Sequence, residues 1–184
     1  MCKVNYQFNY SLYFILKQFL IIIIFSLSIF IGGVLLGIKE SIKLLDKGTK
    51  HYKLIVVYQN SLDCKKECNS LDFANIEKVN MDEALLEILV DKTKDEKAFE
   101  SWDFICEYLK SIESDLLVLY NVDYLFSPDL GNQDIIKNFK YFSRTRKVIL
   151  FVKGKILGND LIHGEEGDGD YKRMDISEVL VEGW

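Results

Sequence analysis

The sequence predicts one α/β domain, a parallel sheet covered by helices, preceded by an apolar N-terminal segment. Three observations predict it. The chain has 184 residues, 49% of them hydrophobic, and a single proline, enough for one core and too little for two. From residue 39 onward, short runs rich in β-branched residues alternate with longer amphipathic segments, the pattern of βαβ units. Three runs, Lys53–Tyr58, Leu116–Tyr120 and Lys147–Gly154, are almost continuously apolar, as strands buried on both faces are.

Residues 1–38 make the hydrophobic N-terminal segment and residues 39–184 the globular part. Phe19 to Ile38 carries no charge and has the length of a helix that crosses the hydrocarbon core of a membrane. Two readings stand. Residues 19–38 are a transmembrane helix or uncleaved anchor; or the start is mis-annotated, Ile31 to Val34 translates a purine-rich ribosome-binding sequence, and a cytoplasmic protein begins near Leu36. Lys3 and Lys17 precede the span and Lys39 and Lys43 follow it, so the distribution of positive charge leaves an orientation undecided.

In the globular part, IKESIKLLDKG reads as a short helix stopped by Gly48, the residue type favoured just past a helix C-terminus. Lys53–Tyr58 is the first buried strand. SLDCKKECNSL reads as a helix and NIEKVN as a second short strand. MDEALLEILVDKT places Ala84, Leu85, Ile88 and Leu89 at helical spacing, and Glu96 to Lys110 does the same with Phe99, Trp102, Ile105 and Leu109. The strand LLVLY follows, and Ser127, Pro128 and Asp129 form a turn. IIKNFKYFSRTR is helical and KVILFVKG is the third strong strand. Beyond Gly154, glycines punctuate an acidic run with Asp160, Glu165, Glu166, Asp168 and Asp170. This reads as a hairpin with an exposed acidic loop, since a calcium loop of the EF-hand type requires a different order of ligands and flanking helices. SEVLVEGW closes with a short strand.

A net charge of −5 and a pI near 5.2 give no basic field for a phosphate backbone, so direct nucleic-acid binding is not expected. Cys2, Cys64, Cys68 and Cys106 form no CxxC pair, and His51 and His163 are the only histidines. That is poor material for a zinc site, and Cys64 and Cys68, four apart, read as two ordinary cytosolic thiols.

A phosphate-binding loop of the G-x-x-x-x-G-K-[ST] type follows a first buried strand, its glycines letting backbone N–H groups wrap the phosphates. Counting from the strand here, Gln59 and Cys64 stand at the glycine positions, Lys65 at the lysine and Lys66 at the hydroxyl. Both glycines are gone, Asp63 adds a negative charge, and Lys66 cannot hold magnesium. Lys65 alone remains as a candidate nucleotide ligand. The Walker B aspartate, which holds magnesium at the end of an apolar strand, is replaced by Tyr120. Asp123, three residues on, is the candidate for acting on water; a capping carboxylate is the alternative.

The order from LLVLY through Leu125, Phe126, Pro128, Ser143, Arg144, Arg146, Gly154 and Tyr171 resembles the C-terminal half of the BrxF family of type 3 BREX phage-defence systems. There a Walker B strand leads to an L-F-x-P turn, a helix, an S-R-x-R segment and a further strand. The resemblance covers about residues 39 to 184 and leaves the apolar N-terminus outside. It implies a P-loop NTPase-like, AAA-type sheet flanked by helices, working with the other BREX proteins and able to form oligomers. It also implies that Arg144 and Arg146 sense a nucleotide or reach a neighbouring subunit, a task suited to guanidinium; surface pairing is the alternative. The eroded loop and Tyr120 point to an interaction or regulatory subunit with lost or weak ATP binding. An ATPase using Lys65 with ATP and magnesium, and a membrane-anchored scaffold, are the other readings.

Overall fold

The chain divides into two units, Met1–Gly37 and Ile38–Trp184. The computed structural model describes residues 37–48, 50–59, 71 and 75–183; the apolar segment 19–36, the stretch containing Lys65 and the helix expected over Ser61–Leu71 lie outside them. Among the described residues no helix is long and apolar enough to cross a membrane.

The first described helix, α1, covers residues 37–46. It ends as expected: Gly48 adopts φ +67° and donates its N–H to the Leu45 carbonyl at 3.1 Å. The main sheet is built from β1 (Leu54–Gln59), β2 (Ile76–Asn80), β3 (Leu116–Tyr120), β4 (Lys147–Lys153) and β8 (Leu180–Gly183), in the order β2-β3-β4-β1-β8. All four pairings are parallel. The three apolar runs are therefore strands, as expected, and β1 and β4 occupy interior positions.

Side chains alternate across the sheet. Leu54, Val56, Leu117, Leu119, Val148, Leu150 and Val152 share one continuous cluster. Ile55, Val57, Val118, Ile149 and Phe151 are also fully buried but stand outside that cluster, so both faces are covered. On the clustered side lie α2 (Met81–Leu89), α3 (Lys94–Ser111) and α4 (Ile135–Phe142).

Each helix start has a local cause. The helix expected from Glu96 begins at Lys94 because Thr93 caps it: its hydroxyl accepts from the Glu96 N–H, and the Glu96 carboxylate accepts from the Thr93 N–H. The Thr93 hydroxyl also donates to the Glu96 carboxylate at 2.7 Å, and this bond first, then the one from the Thr93 N–H, lowers the pKa of Glu96. Asp134 caps α4 by accepting from the Lys137 N–H at 2.9 Å. Trp102 of α3 meets Phe139 of α4 edge-on, with centroids 5.0 Å apart.

The expected hairpin with an exposed acidic loop is present, as β5 (Lys155–Leu157) and β6 (Asp160–His163) with residues 164–169 exposed, and a third strand joins it. β5, β6 and β7 (Lys172–Asp175) form a separate three-stranded antiparallel sheet. Leu161 and Met174 face each other in its register and both join the main core. Lys140 of α4, only 8% exposed, reaches out to Asp175 at 2.7 Å and fastens this small sheet to the helix layer.

That clamp has a pH signature. The Lys140 ammonium first, then the Ser177 hydroxyl and backbone N–H, depress the Asp175 carboxyl from 3.8 to about 2. A carboxyl depressed on folding contributes stability above its unfolded pKa and loses it as pH falls through the folded one. Wild-type protein should lose stability faster than Asp175→Asn between pH 4 and 2, measured by urea unfolding at each pH. Parallel curves would remove the clamp from the acid response.

Candidate functional site

In a parallel open sheet, ligands bind beyond the carboxyl ends of the strands, where successive connections leave in opposite directions. Here the chain leaves β1 toward β2 at one edge and leaves β4 toward β8 at the other, so this point lies between β1 and β4. Gln59 and Lys153 are level there, and Asn80 is level with Tyr120.

Several polar residues gather at this edge. Asn121 follows β3 with φ +53°, a left-handed conformation that asparagine tolerates better than most residues. Its side-chain amide donates to Asn80 Oδ1 at 3.1 Å, which ties the ends of β2 and β3. The chain then turns through a short 3₁₀ segment, Asp123–Phe126, whose first residue faces the end of β4. Lys153 Nζ donates to the Asp123 carboxylate in a close ion pair. Asp82, in the first turn of α2, is pushed above its ordinary pKa by burial first and by the charge of Asp123 second, against the opposing pull of Lys153.

His163 closes the far side. It is 5% exposed and stacks on Phe126 with centroids 3.9 Å apart. Its Nδ1 lies 2.9 Å from the Lys153 carbonyl oxygen, which only accepts, so Nδ1 carries the proton and Nε2 faces Asp170 at 3.7 Å. Asp123, Lys153, Gly154, His163 and Asp170 all line one cavity of about 440 Å³.

The expected site residues fall into separate places. Tyr120 is the last residue of β3, and Asp123 lies just beyond it at the carboxyl edge. Arg144 and Arg146 precede β4 and sit at the opposite edge, which strands of five to seven residues separate by roughly 15–20 Å. Arg144 lies over the rings of Tyr141 and Tyr52, 4.6 and 5.6 Å from their centroids. Arg146 donates to the Leu109 carbonyl at the end of α3 at 2.6 Å. Within one chain the arginines and Asp123 do not meet. Lys65 lies outside the described residues.

No sequence motif assigns a role to Lys153, Asp82 or His163. Two had a readable signal: Lys153 is the last charged residue of the strand beside β3, and Asp82 is the second residue after NIEKVN. His163 had none, because its partners come from Phe126 and Asp170, neither near it in a legible pattern.

No protein-family model and no curated protein matches the chain. The chemistry of the edge therefore rests on its own residues. The Asp123 carboxylate already pairs through one oxygen with a cation supplied by the same chain, which weakens its attraction for a hydrated divalent ion.

Among the described residues no three histidine, cysteine or carboxylate side chains converge as metal ligands.

Proposed function

We propose that the chain is an interaction or regulatory subunit of a BREX anti-phage system, built on a AAA-type P-loop fold whose nucleotide site is lost or weakened. The observation that carries the weakening is the Lys153–Asp123 pair, which neutralises the carboxylate nearest the Walker B position, where Tyr120 replaces the magnesium ligand. The strand order supports the fold reading: β4 stands between β1, the strand before the eroded loop, and β3, the Walker B-like strand, as in AAA-type sheets. The L-F-x-P turn at Leu125–Pro128 and the S-R-x-R segment at Ser143–Arg146 support the family.

Protein lacking residues 1–35 is expected to give no micromolar complex with magnesium ATP by isothermal titration. Affinity in such a fold comes from backbone amides around the phosphates and from magnesium held by two side chains. Lys65 alone offers one charge-assisted contact of about 1.5–3 kcal/mol, against roughly 8 kcal/mol for a micromolar complex. A micromolar dissociation constant abolished by Lys65→Ala would make the chain a working ATPase instead. The system itself is tested in the genome and on plates. A BREX methyltransferase and a PglZ-type protein should be encoded alongside, and deleting this gene should raise phage plating while Lys65→Ala leaves it low. A locus without those neighbours would sink the assignment.

A further inference from the structure

Helix α2 carries more apolar surface than the core uses. Met81, Ala84, Leu85 and Leu89 are buried, whereas Leu86 is 74% and Val90 70% exposed. Residues four apart share a helix face, so Asp82, Leu86 and Val90 form a single line along the outside of α2. At about 1.5 Å per residue the line is roughly 12 Å long.

This line is one wall of a groove. Tyr124 and Pro128 make the other wall, and the cavity between them measures about 710 Å³. Its carboxylates are Asp82, Asp123 and Asp170, against Lys97 in the lining and Lys153, which pairs with Asp123, so one carboxylate is left in excess and Asp82 and Asp170 are the two without a lysine of their own in the lining. Burial first and the charge of Asp123 second, with Lys153 opposing, disfavour the Asp82 carboxylate, so an incoming cation stabilises it and an incoming anion does not. The apolar line fixes the length of what fits, and the carboxylates fix its sign.

We propose that this groove is the docking site for a segment of a partner protein that presents two or three apolar side chains and a lysine or arginine. The proposal rests on the reading of the chain as an interaction subunit and adds the chemistry of its partner. Leu86 and Val90 supply the desolvated contact, and Asp82 with Asp170 selects the cationic residue and sets the register.

The test titrates the full-length chain into a fluorescent amphipathic leucine–lysine peptide, followed by anisotropy, with the matching leucine–glutamate peptide as control. The leucine–lysine peptide should bind, and the glutamate peptide should bind at least about tenfold more weakly. Leu86→Ser with Val90→Ser should weaken binding about tenfold or more with the far-ultraviolet circular dichroism unchanged, since both side chains are exposed. Asp82→Asn with Asp170→Asn should weaken it about three- to tenfold and flatten its salt dependence. Equal binding of the two peptides, or unchanged affinity in the serine variant, overturns the proposal. So does a concentration-dependent dimer by sedimentation that the serine variant abolishes, because the groove then belongs to a second copy. If the peptide results hold while phage plating in a BREX host ignores the serine variant, the groove stands and the defence reading falls.

Discussion

Gly131→Ala is expected to lower the unfolding free energy by about 3–5 kcal/mol, at the upper end of single-substitution effects. Gly131 ends the second short 3₁₀ segment, Pro128–Leu130, with φ +79° and ψ +20°. A Cβ there would stand 1.9 Å from the backbone oxygen of Ala98. The left-handed conformation costs an alanine about 1–2 kcal/mol; the rest comes from separating the turn from α3, because a helix carbonyl has no rotamer by which to yield. Gly158→Ala is the control. Its φ is +63° but its Cβ would meet nothing within 4 Å, so only the conformational cost of about 1–2 kcal/mol applies. Urea unfolding of the two variants separates the terms, and equal losses would refute the steric part.

Phe126→Ala should cost about 3–5 kcal/mol, the range for a large buried aromatic. Phe126 is fully buried in the main cluster and carries His163 of the small sheet on its ring. Its removal therefore strikes the main core and the seam to β6 together. Proton NMR gives a second reading, since the His163 ring protons should lose the shift imposed by a neighbouring aromatic face. A loss below about 1.5 kcal/mol, as expected of a well-tolerated hydrophobic exchange, would mean that the seam is held by other contacts.

The legibility of this fold follows from what each residue answers to. KLIVVY, LLVLY and KVILFV declare themselves as strands because burial on both faces leaves no polar alternation to misread, and NIEKVN survives as an edge strand with Glu77 and Lys78 at its centre. Their order in the sheet is not written locally, since β1 pairs with β4 across 94 residues, as Leu54 with Val148, and not with the strand that follows it. The third strand of the small sheet, Lys172–Asp175, alternates too briefly to stand out from the acidic run before it. The site was legible where it followed strand ends, as at Tyr120 and Asp123. It was not where one charge selects another across the fold, as Lys153 selects Asp123. Arg144 and Arg146 carry the same lesson: their spacing in the S-R-x-R segment is plain, but the edge they occupy is set by the direction of β4.

Strand β8 pairs with β1, and the register joins Ile55 to Leu180, so 125 residues of chain separate the partners. During synthesis at about 5–20 residues per second, β1 waits on the order of 6–25 s for that neighbour. Throughout that interval its outer row of amides and carbonyls is a template for any extended segment nearby. β8 thus covers the edge of β1 that β4 leaves open. Variants that weaken Leu180 or Val181 are expected to show their damage in the yield of folded protein from the ribosome before they show it in the stability of molecules that have already folded.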